Sequence, residues 1–261
     1  MLFLVLRIII GPLGVLGGTV AQRRLGPAVG GLVIGLPLTS LPLLWLVALQ
    51  RGGSFTGSMT SAILIGSISE GFVLLAYAKM TARCTPMVAL LGALGVFAVS
   101  VTTIGMFHVS ALIAGLLTSA GFALALRWWP ESSTDVVTQN VRSRLVLRVI
   151  AATVFTIVIV TMAGKFGALL SGLVDALPMT TLLMAFMTHR EQGPDATSQF
   201  IRGVLRGSFS WVISTVVLAA VLSTGHVLLA FGLSLLTALL VQAAVQASVS
   251  FPSIKRALSF S

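Results

Sequence analysis

The sequence predicts an all-α protein whose helices form a polytopic bundle across a membrane. Of its 261 residues, 57% are hydrophobic and only 8% are charged, and the mean hydropathy is +1.08. A soluble domain carries about 25% charged residues. The apolar residues also come in runs of about 20, the length at which an α-helix crosses the hydrocarbon of a bilayer. A transmembrane barrel is disfavoured because its strands are short and alternate apolar with polar residues.

The apolar runs predict about nine membrane spans. They cover residues 2–20, 27–49, 58–78, 85–105, 107–127, 145–164, 166–188, 199–222 and 226–249. No small-residue cleavage site follows the first run, so we interpret it as a span and not as a signal peptide. The longest connection, residues 127–144, is polar and is typical of a linker between two halves.

The basic residues are divided unevenly between the two sides of the predicted bundle, and the formal net charge is +10. One side holds only Arg51 and Lys165, with Arg7 just inside the first span. The other side holds Arg23, Arg24, Lys79, Arg83, Arg127, Arg142, Arg144, Arg190, Arg202, Lys255 and Arg256. Loops rich in Lys and Arg stay in the cytoplasm, which predicts a multi-pass protein with its N-terminus outside and its C-terminus cytoplasmic. Because no basic face is interleaved with aromatic residues, we expect no nucleic-acid partner.

Three segments of the sequence recur at a single offset of 141 residues. Such a coincidence without gaps indicates an internal duplication. The matched segments are Leu4–Arg7 with Leu145–Arg148, Gly26–Ser40 with Gly167–Thr181, and Gly66–Ser69 with Gly207–Ser210.

The offset covers five predicted helices, and an odd number of helices turns the second copy over relative to the membrane. The predicted organisation is a four-helix repeat in residues 1–106, a linking helix and cytoplasmic linker in residues 107–144, and an inverted four-helix repeat in residues 145–261. Inverted repeats of this kind surround a midplane binding site in secondary transporters.

Each copy carries a Leu-Pro-x-Thr-[Ser/Thr] element in the middle of a span. The residues are Pro37, Thr39 and Ser40 in the first copy, and Pro178, Thr180 and Thr181 in the second. Proline lacks an N–H group and obstructs the carbonyl four residues earlier, and in hydrocarbon that carbonyl needs another partner. Two interpretations stay open: a packed kink that nearby hydroxyls satisfy, or a broken helix that faces a substrate. The pairing of the two elements favours the broken helix.

Glu70 and Asp175 lie in the middle of predicted spans, where a carboxylate must pair, take up a proton or face water. Glu70 aligns with Trp211 of the other copy, and Asp175 aligns with Ile34. The copies therefore differ where the midplane site is expected. Arg206 is the predicted partner of Glu70 or Asp175, either in a structural ion pair or as a contact to substrate. A carboxylate that cycles its proton would couple transport to the proton gradient.

Ser69 and Ser210 adjoin Glu70 and Trp211, and they complete the candidate set for substrate binding or coupling. Trp211 is deep in its span, where core packing and a stacking platform are both open interpretations. Tyr77 lies toward the end of a span and is predicted to be an interfacial anchor.

Small residues at helical spacing predict close helix packing. They are Gly31 with Gly35, Ala62 with Gly66, and Gly203 with Gly207.

The sequence contains no pattern that predicts a metal site, a cofactor site or a disulfide. Its histidines, His108, His189 and His226, fall in predicted loops without metal-ligand spacing, and Cys84 is the single cysteine. We expect no enzymatic activity, because we find neither a carboxylate set for metal-assisted chemistry nor a serine–histidine pair at comparable depth.

The second half resembles the GlpM-like family of small bacterial integral membrane proteins. The resemblance rests on Gly172-Leu173-Val174, on Pro178 and Thr180, and on the polar loop Thr188–Ser198 after an apolar run. It implies two fused four-helix units in a bacterial cytoplasmic membrane, and it implies no activity. Asp175 departs from the family pattern, and the hydroxyl after the proline is displaced by one residue.

These observations together predict a membrane transporter or exporter of a small molecule or lipid, with proton coupling expected from its buried carboxylates. The alternative is a non-transporting accessory or assembly subunit. Membrane lipids and the transported molecule are the expected partners, and the oligomeric state is left open.

Overall fold

The computed structural model describes residues 2–38, 40–104, 109–130, 149–150, 153–154 and 176–258. Every regular element in these ranges is an α-helix, which confirms the predicted all-α class. The helices are α1 (Leu2–Leu25), α2 (Pro27–Ile34), α3 (Ser40–Ser67), α4 (Glu70–Thr81), α5 (Pro86–Ile104), α6 (Ala111–Arg127), α7 (Met179–Leu222) and α8 (Val227–Leu258).

Four helical stretches in the described part of the chain are long and apolar enough to cross a membrane. They are Ser40–Thr81, Pro86–Ile104, Met179–Leu222 and Val227–Ala247. Both α5 and α8 turn large apolar side chains outward; Leu91, for example, is 60% exposed, and Leu228 is 77% exposed. Because a continuous apolar surface of this kind suits lipid tails rather than water, the structure supports a helical membrane protein.

A glycine in the left-handed region divides α3, and another divides α7. Gly52 has φ 81° and ψ 167°, and Gly193 has φ 83° and ψ −175°. Residues with a side chain rarely adopt such φ values, and each glycine ends one helix and begins the next. We name the parts α3a (residues 40–51), α3b (53–67), α7a (179–192) and α7b (194–222).

The chain reverses direction at Gly193. α1 runs parallel to α7a, since successive residues of one contact successive residues of the other; the pairs are Thr19 with Met184 and Gln22 with Thr188. α2 folds back along α1 and runs parallel to α7b; the facing pairs are Gly18 with Ile34, Gly30 with Gln22, Gly31 with Phe200, and Gly35 with Ser208. α7a and α7b therefore form a helical hairpin.

Gly52 makes a second hairpin at the opposite end of the bundle. The start of α3a bonds to Trp211 in the middle of α7b. The start of α3b faces Leu222, the last residue of α7b. α3a therefore runs along α7b toward its end, and α3b returns.

The two ends of the bundle differ in charge, as the loop pattern predicts. At one end lie the α1–α2, α4–α5 and α7a–α7b connections and the end of α6. Three contacts place them together: Gln22 with Thr188, Tyr77 with His189, and Trp129 with Ser198. We call this the basic end, and its described basic residues are Arg23, Arg24, Lys79, Arg83, Arg127 and Arg190. The opposite end holds Gly52, with Arg51 beside it, and the connection from α7b to α8. α1 runs toward the basic end, and α8 runs toward it from the opposite end.

Glycines allow α2 and α7b to touch backbone to backbone. A methyl group at Gly31 would overlap the carbonyl oxygen of Phe200, and one at Gly203 would overlap that of Ala28. Gly35 and Gly207 continue the same contact one turn further on. The predicted packing of these two small-residue pairs is confirmed, and they contact each other. Ala62 and Gly66 are both buried on α3b.

Several positions 141 residues apart, within residues 36–86 and 177–227, share local structure. Thr56 donates to the carbonyl of Gly52 at 2.8 Å, and Thr197 donates to that of Gly193 at the same distance. Helix ends also match at this offset. Thr81 ends α4 and Leu222 ends α7b, while Pro86 begins α5 and Val227 begins α8. Residues 142–148, 151–152 and 155–175, most of the segment at the 141-residue offset from α1 and α2, lie outside the described ranges.

Gly31→Ala should destabilise the folded protein by about 1–3 kcal/mol, because the added methyl group meets a backbone carbonyl that cannot move away alone. Gly232→Ala is the matched control, since nothing lies within 4 Å of its added methyl group and alanine favours helix. Thermal unfolding of the purified protein in detergent measures both. Equal melting temperatures for the two variants would contradict the contact.

Candidate functional site

The first helix break separates α2 from α3a at residues 35–39. Pro37 is buried here, and the carbonyl of Val33, which faces the missing N–H of Pro37, accepts from Leu36 at 3.2 Å. The N–H of Leu38 bonds to Leu36 at 2.8 Å, which tightens the turn. Part of the backbone is thus satisfied by local turns rather than by hydroxyls. Thr39 lies outside the described residues.

The second proline element, residues 176–178, is non-helical, directly precedes α7a and repeats this geometry. The N–H of Met179 bonds to Leu177 at 2.7 Å, and the N–H of Leu182 bonds to Pro178 at 2.8 Å. Pro178 and Thr180 are half-buried, and Thr181 is buried. Asp175 lies outside the described residues, so its predicted role stays a prediction.

Trp211, in the second half of the chain, contacts the residue that follows the first break. Its indole Nε1 donates to the Ser40 hydroxyl at 2.9 Å. The half-buried ring packs against both apolar clusters of the bundle, one around Leu44 and Met59 and the other around Leu74 and Leu205. The structure thus brings Ser40 and Trp211 together, and it favours packing over an open stacking platform for this indole.

A third break, which the sequence did not predict, lies between α3b and α4 at residues 68–69. The hydroxyl of Ser67 bonds to the Ile63 carbonyl at 2.9 Å, and that of Ser69 bonds to the Gly66 carbonyl at 3.0 Å. In the equivalent stretch of α7b, Ser210 makes the same local bond at 2.7 Å, but the helix continues. The break beside Glu70 is therefore absent from the stretch of α7b that lies 141 residues later.

Glu70 is the first residue of α4 and is only 8% exposed. No hydrogen bond or ion pair to its carboxyl group is found among the described residues. The positive end of the α4 dipole favours a negative charge at this position. An unpaired carboxyl in a membrane interior must nevertheless take up a proton, bind a cation or contact water, so Glu70 is the strongest candidate site residue.

The predicted pairing of Arg206 with Glu70 is wrong. Arg206 is half-buried on α7b, and its described charged neighbour is Arg202, not a carboxylate. It lies one turn before Phe209, which packs edge-on against Phe122 of α6 at 5.7 Å. The pairing of Arg206 with Asp175 stays a prediction.

The structure also corrects the predicted positions of His189 and Tyr77. His189 is a buried residue of α7a and not a loop residue, and Tyr77 is fully buried in α4 and is not an interfacial anchor. Their rings meet edge-on with centroids 6.2 Å apart. No group of three or more His, Cys, Asp or Glu side chains in the described part of the chain could hold a metal ion.

No protein-family model matches the chain, and no curated protein or solved structure matches it. The resemblance to the GlpM-like family therefore stays a prediction.

The Trp211–Ser40 bond should contribute about 1 kcal/mol to stability, since it is a neutral hydrogen bond in a mostly apolar setting. A double-mutant cycle with Trp211→Phe and Ser40→Ala, read from chemical unfolding in mixed micelles, measures that coupling. The Trp129–Ser198 bond at 3.0 Å near the basic end is the comparison pair. A coupling energy of zero between Trp211 and Ser40 would show that the bond is not formed.

Proposed function

We propose that this chain is a multi-pass membrane transporter that moves a small molecule or lipid, with Glu70 at its binding site. The observation that carries the proposal is a buried carboxyl group that has no partner among the described residues, at a helix break inside an apolar bundle. A group of this kind is costly to place in a membrane and is typical of proton relays and substrate pathways.

Two inverted repeats are the organisation that best accounts for the shared local structure at the 141-residue offset. The equivalent turns at Gly52 and Gly193 lie at opposite ends of the bundle. The equivalent helices α3b and α7b run in opposite directions. Side chains of the two proposed copies also contact each other, since Trp45 of the first meets Phe231 of the second, and His189 of the second meets Tyr77 of the first. A two-fold axis in the membrane plane generates this pattern, and it fits the nine-span organisation.

The repeat also explains why the proposed site is single. The offset relates Trp211 to Glu70 and Ser40 to Thr181. The Trp211–Ser40 contact therefore has a proposed counterpart in which Glu70 faces the buried Thr181 near the second break. A bulky indole fills one position, whereas a carboxyl group occupies the other. Substrate or proton binding is accordingly assigned to Glu70, Ser69, Pro178, Thr180 and Thr181.

A non-transporting accessory subunit is the second candidate. The hydroxyls of Ser67, Ser69 and Ser210 all bond to carbonyls of their own helices, as expected of a packed midplane. Glu70 is the residue that this alternative does not explain.

Glu70→Gln should reduce transport at least about tenfold and abolish its pH dependence, because the amide cannot exchange a proton. After a metabolite and lipid uptake screen in reconstituted vesicles has found the substrate, initial uptake rates across a pH series measure the effect. Asp195→Asn, an exposed carboxylate at the basic end, is the matched control. Full transport with unchanged pH dependence in both Glu70→Gln and Asp175→Asn would rule out the proposed coupling.

The basic end should face the cytoplasm of a bacterial inner membrane, since Lys-rich and Arg-rich loops are retained there. Reporter fusions should accordingly show an external N-terminus and a cytoplasmic C-terminus. A fusion in the turn at Gly52 should report outside, and one at Gly193 should report inside. Finding both turns on the same side would contradict the inverted repeat.

A further inference from the structure

The outer face of α7b carries two arginines in its first half. Arg202 is exposed and Arg206 is half-buried, and they lie one helical turn apart, so that each charge acts on the other. They share this face with Ile213 and Ala220, since at 3.6 residues per turn all four lie within about 40° of one another around the helix. Ile213 is 39% exposed, and Ala220 is exposed as well. In a bundle that spans a membrane, such a face is open to lipid.

The end of α6 indicates how deep the two arginines lie. The indole Nε1 of Trp129 donates to the hydroxyl of Ser198 at 3.0 Å, which places the end of α6 beside the start of α7b. The neighbouring Trp128 is 53% exposed. Exposed tryptophans at the ends of spans lie at the level of the lipid headgroups. At 1.5 Å per residue, Arg202 lies about 6 Å and Arg206 about 12 Å from Ser198 toward the middle of the membrane.

Neither arginine has a partner of opposite charge among the residues that the structure describes. No hydrogen bond or ion pair of Arg202 or Arg206 is found there, and the charged group that acts on Arg206 is Arg202. Like charges one turn apart repel each other, and a guanidinium below the headgroups is costly unless it is paired. Arg202 can extend its side chain to the headgroups, but Arg206 starts one turn deeper. An anion from outside the chain would offset both costs.

The chemistry of the two side chains indicates which anion fits. A guanidinium presents several N–H donors in one plane, and the oxygens of a phosphate group accept two of them at once. On a face that is open to lipid, phosphate groups are supplied by the lipid headgroups. A zwitterionic headgroup also brings a cation, which the two arginines repel, whereas the headgroup of an anionic phospholipid brings none. Because the lipid lies against an open face, the site needs no cavity within the bundle.

We propose that Arg202 and Arg206 together bind the phosphodiester of an anionic phospholipid in the leaflet at the basic end. The phosphate lies between the headgroup level, which Trp128 marks, and the depth of Arg206. The acyl chains continue toward the middle of the membrane along the face that carries Ile213. Glu70 belongs to another helix, so this site is separate from the proposed transport site and does not depend on transport.

Thermal unfolding of the full-length protein in detergent micelles tests the proposal. The protein is titrated at constant ionic strength with phosphatidylglycerol or with phosphatidylcholine of the same acyl chains. The melting temperature should rise with phosphatidylglycerol and not with phosphatidylcholine, because a ligand that binds the folded protein stabilises it. No rise with either lipid, or an equal rise with both, would overturn the proposal.

Arg206→Gln should weaken the apparent affinity for phosphatidylglycerol about tenfold, the loss expected for one hydrogen bond between charged groups. Arg83→Gln is the matched control, since it removes the same charge from an exposed position at the same end, and it should leave the affinity unchanged. An equal loss in both variants would show that net charge alone attracts the lipid, and no loss in Arg206→Gln would show that Arg206 has another partner, such as Asp175. Either result overturns the proposal. If Arg206→Gln folds poorly, Arg202→Gln replaces it, because Arg202 is exposed, with the same expected loss and the same contrary results.

Discussion

The contact between α2 and α7b determines where the other elements lie. It is made backbone to backbone, because Gly31 and Gly203 leave no side chain between the helices. This contact holds the end of α2 beside residues 204–208. The first break therefore lies close to Trp211, which bonds to Ser40 directly after the break. Since lipid tails offer no hydrophobic gain for helix association, such close packing is a main source of attraction inside a membrane. The backbone can therefore depart from helical geometry at the breaks while the helices stay packed.

Local rules predicted the helices of the described ranges and the non-helical backbone at Pro37 and Pro178. The apolar runs indicate helices whatever their neighbours are, and the missing N–H groups of Pro37 and Pro178 interrupt a helix in any surroundings. The third break has no proline. Its two serines compete for backbone hydrogen bonds, and Glu70 suits a helix start, but these preferences are weak signals inside a long apolar run.

Non-local contacts decided what the sequence could not indicate. The polar run at residues 188–198 is typical of a loop, yet Tyr77 and Thr81 of a distant helix bury His189 within α7a. The sequence indicates how deep Arg206 and Glu70 lie in the membrane, and the two depths are similar. It does not indicate toward which neighbouring helix each side chain points, and that direction decides which residues meet. Glu70 itself was identifiable, because a carboxylate within an apolar run is exceptional in any context.

The exchange of contacts between the two halves has a consequence for how the chain is made. α3a is synthesised early, but its partners Trp211, Leu218 and Phe231 belong to the final quarter of the chain. Until those residues enter the membrane, α3a lacks the helices that bury its inner face. The first half of the chain therefore cannot complete its packing alone, and the bundle is complete only when α7b and α8 have entered the membrane. The two halves of the chain therefore assemble as one unit, because each half supplies helices that bury the inner faces of the other.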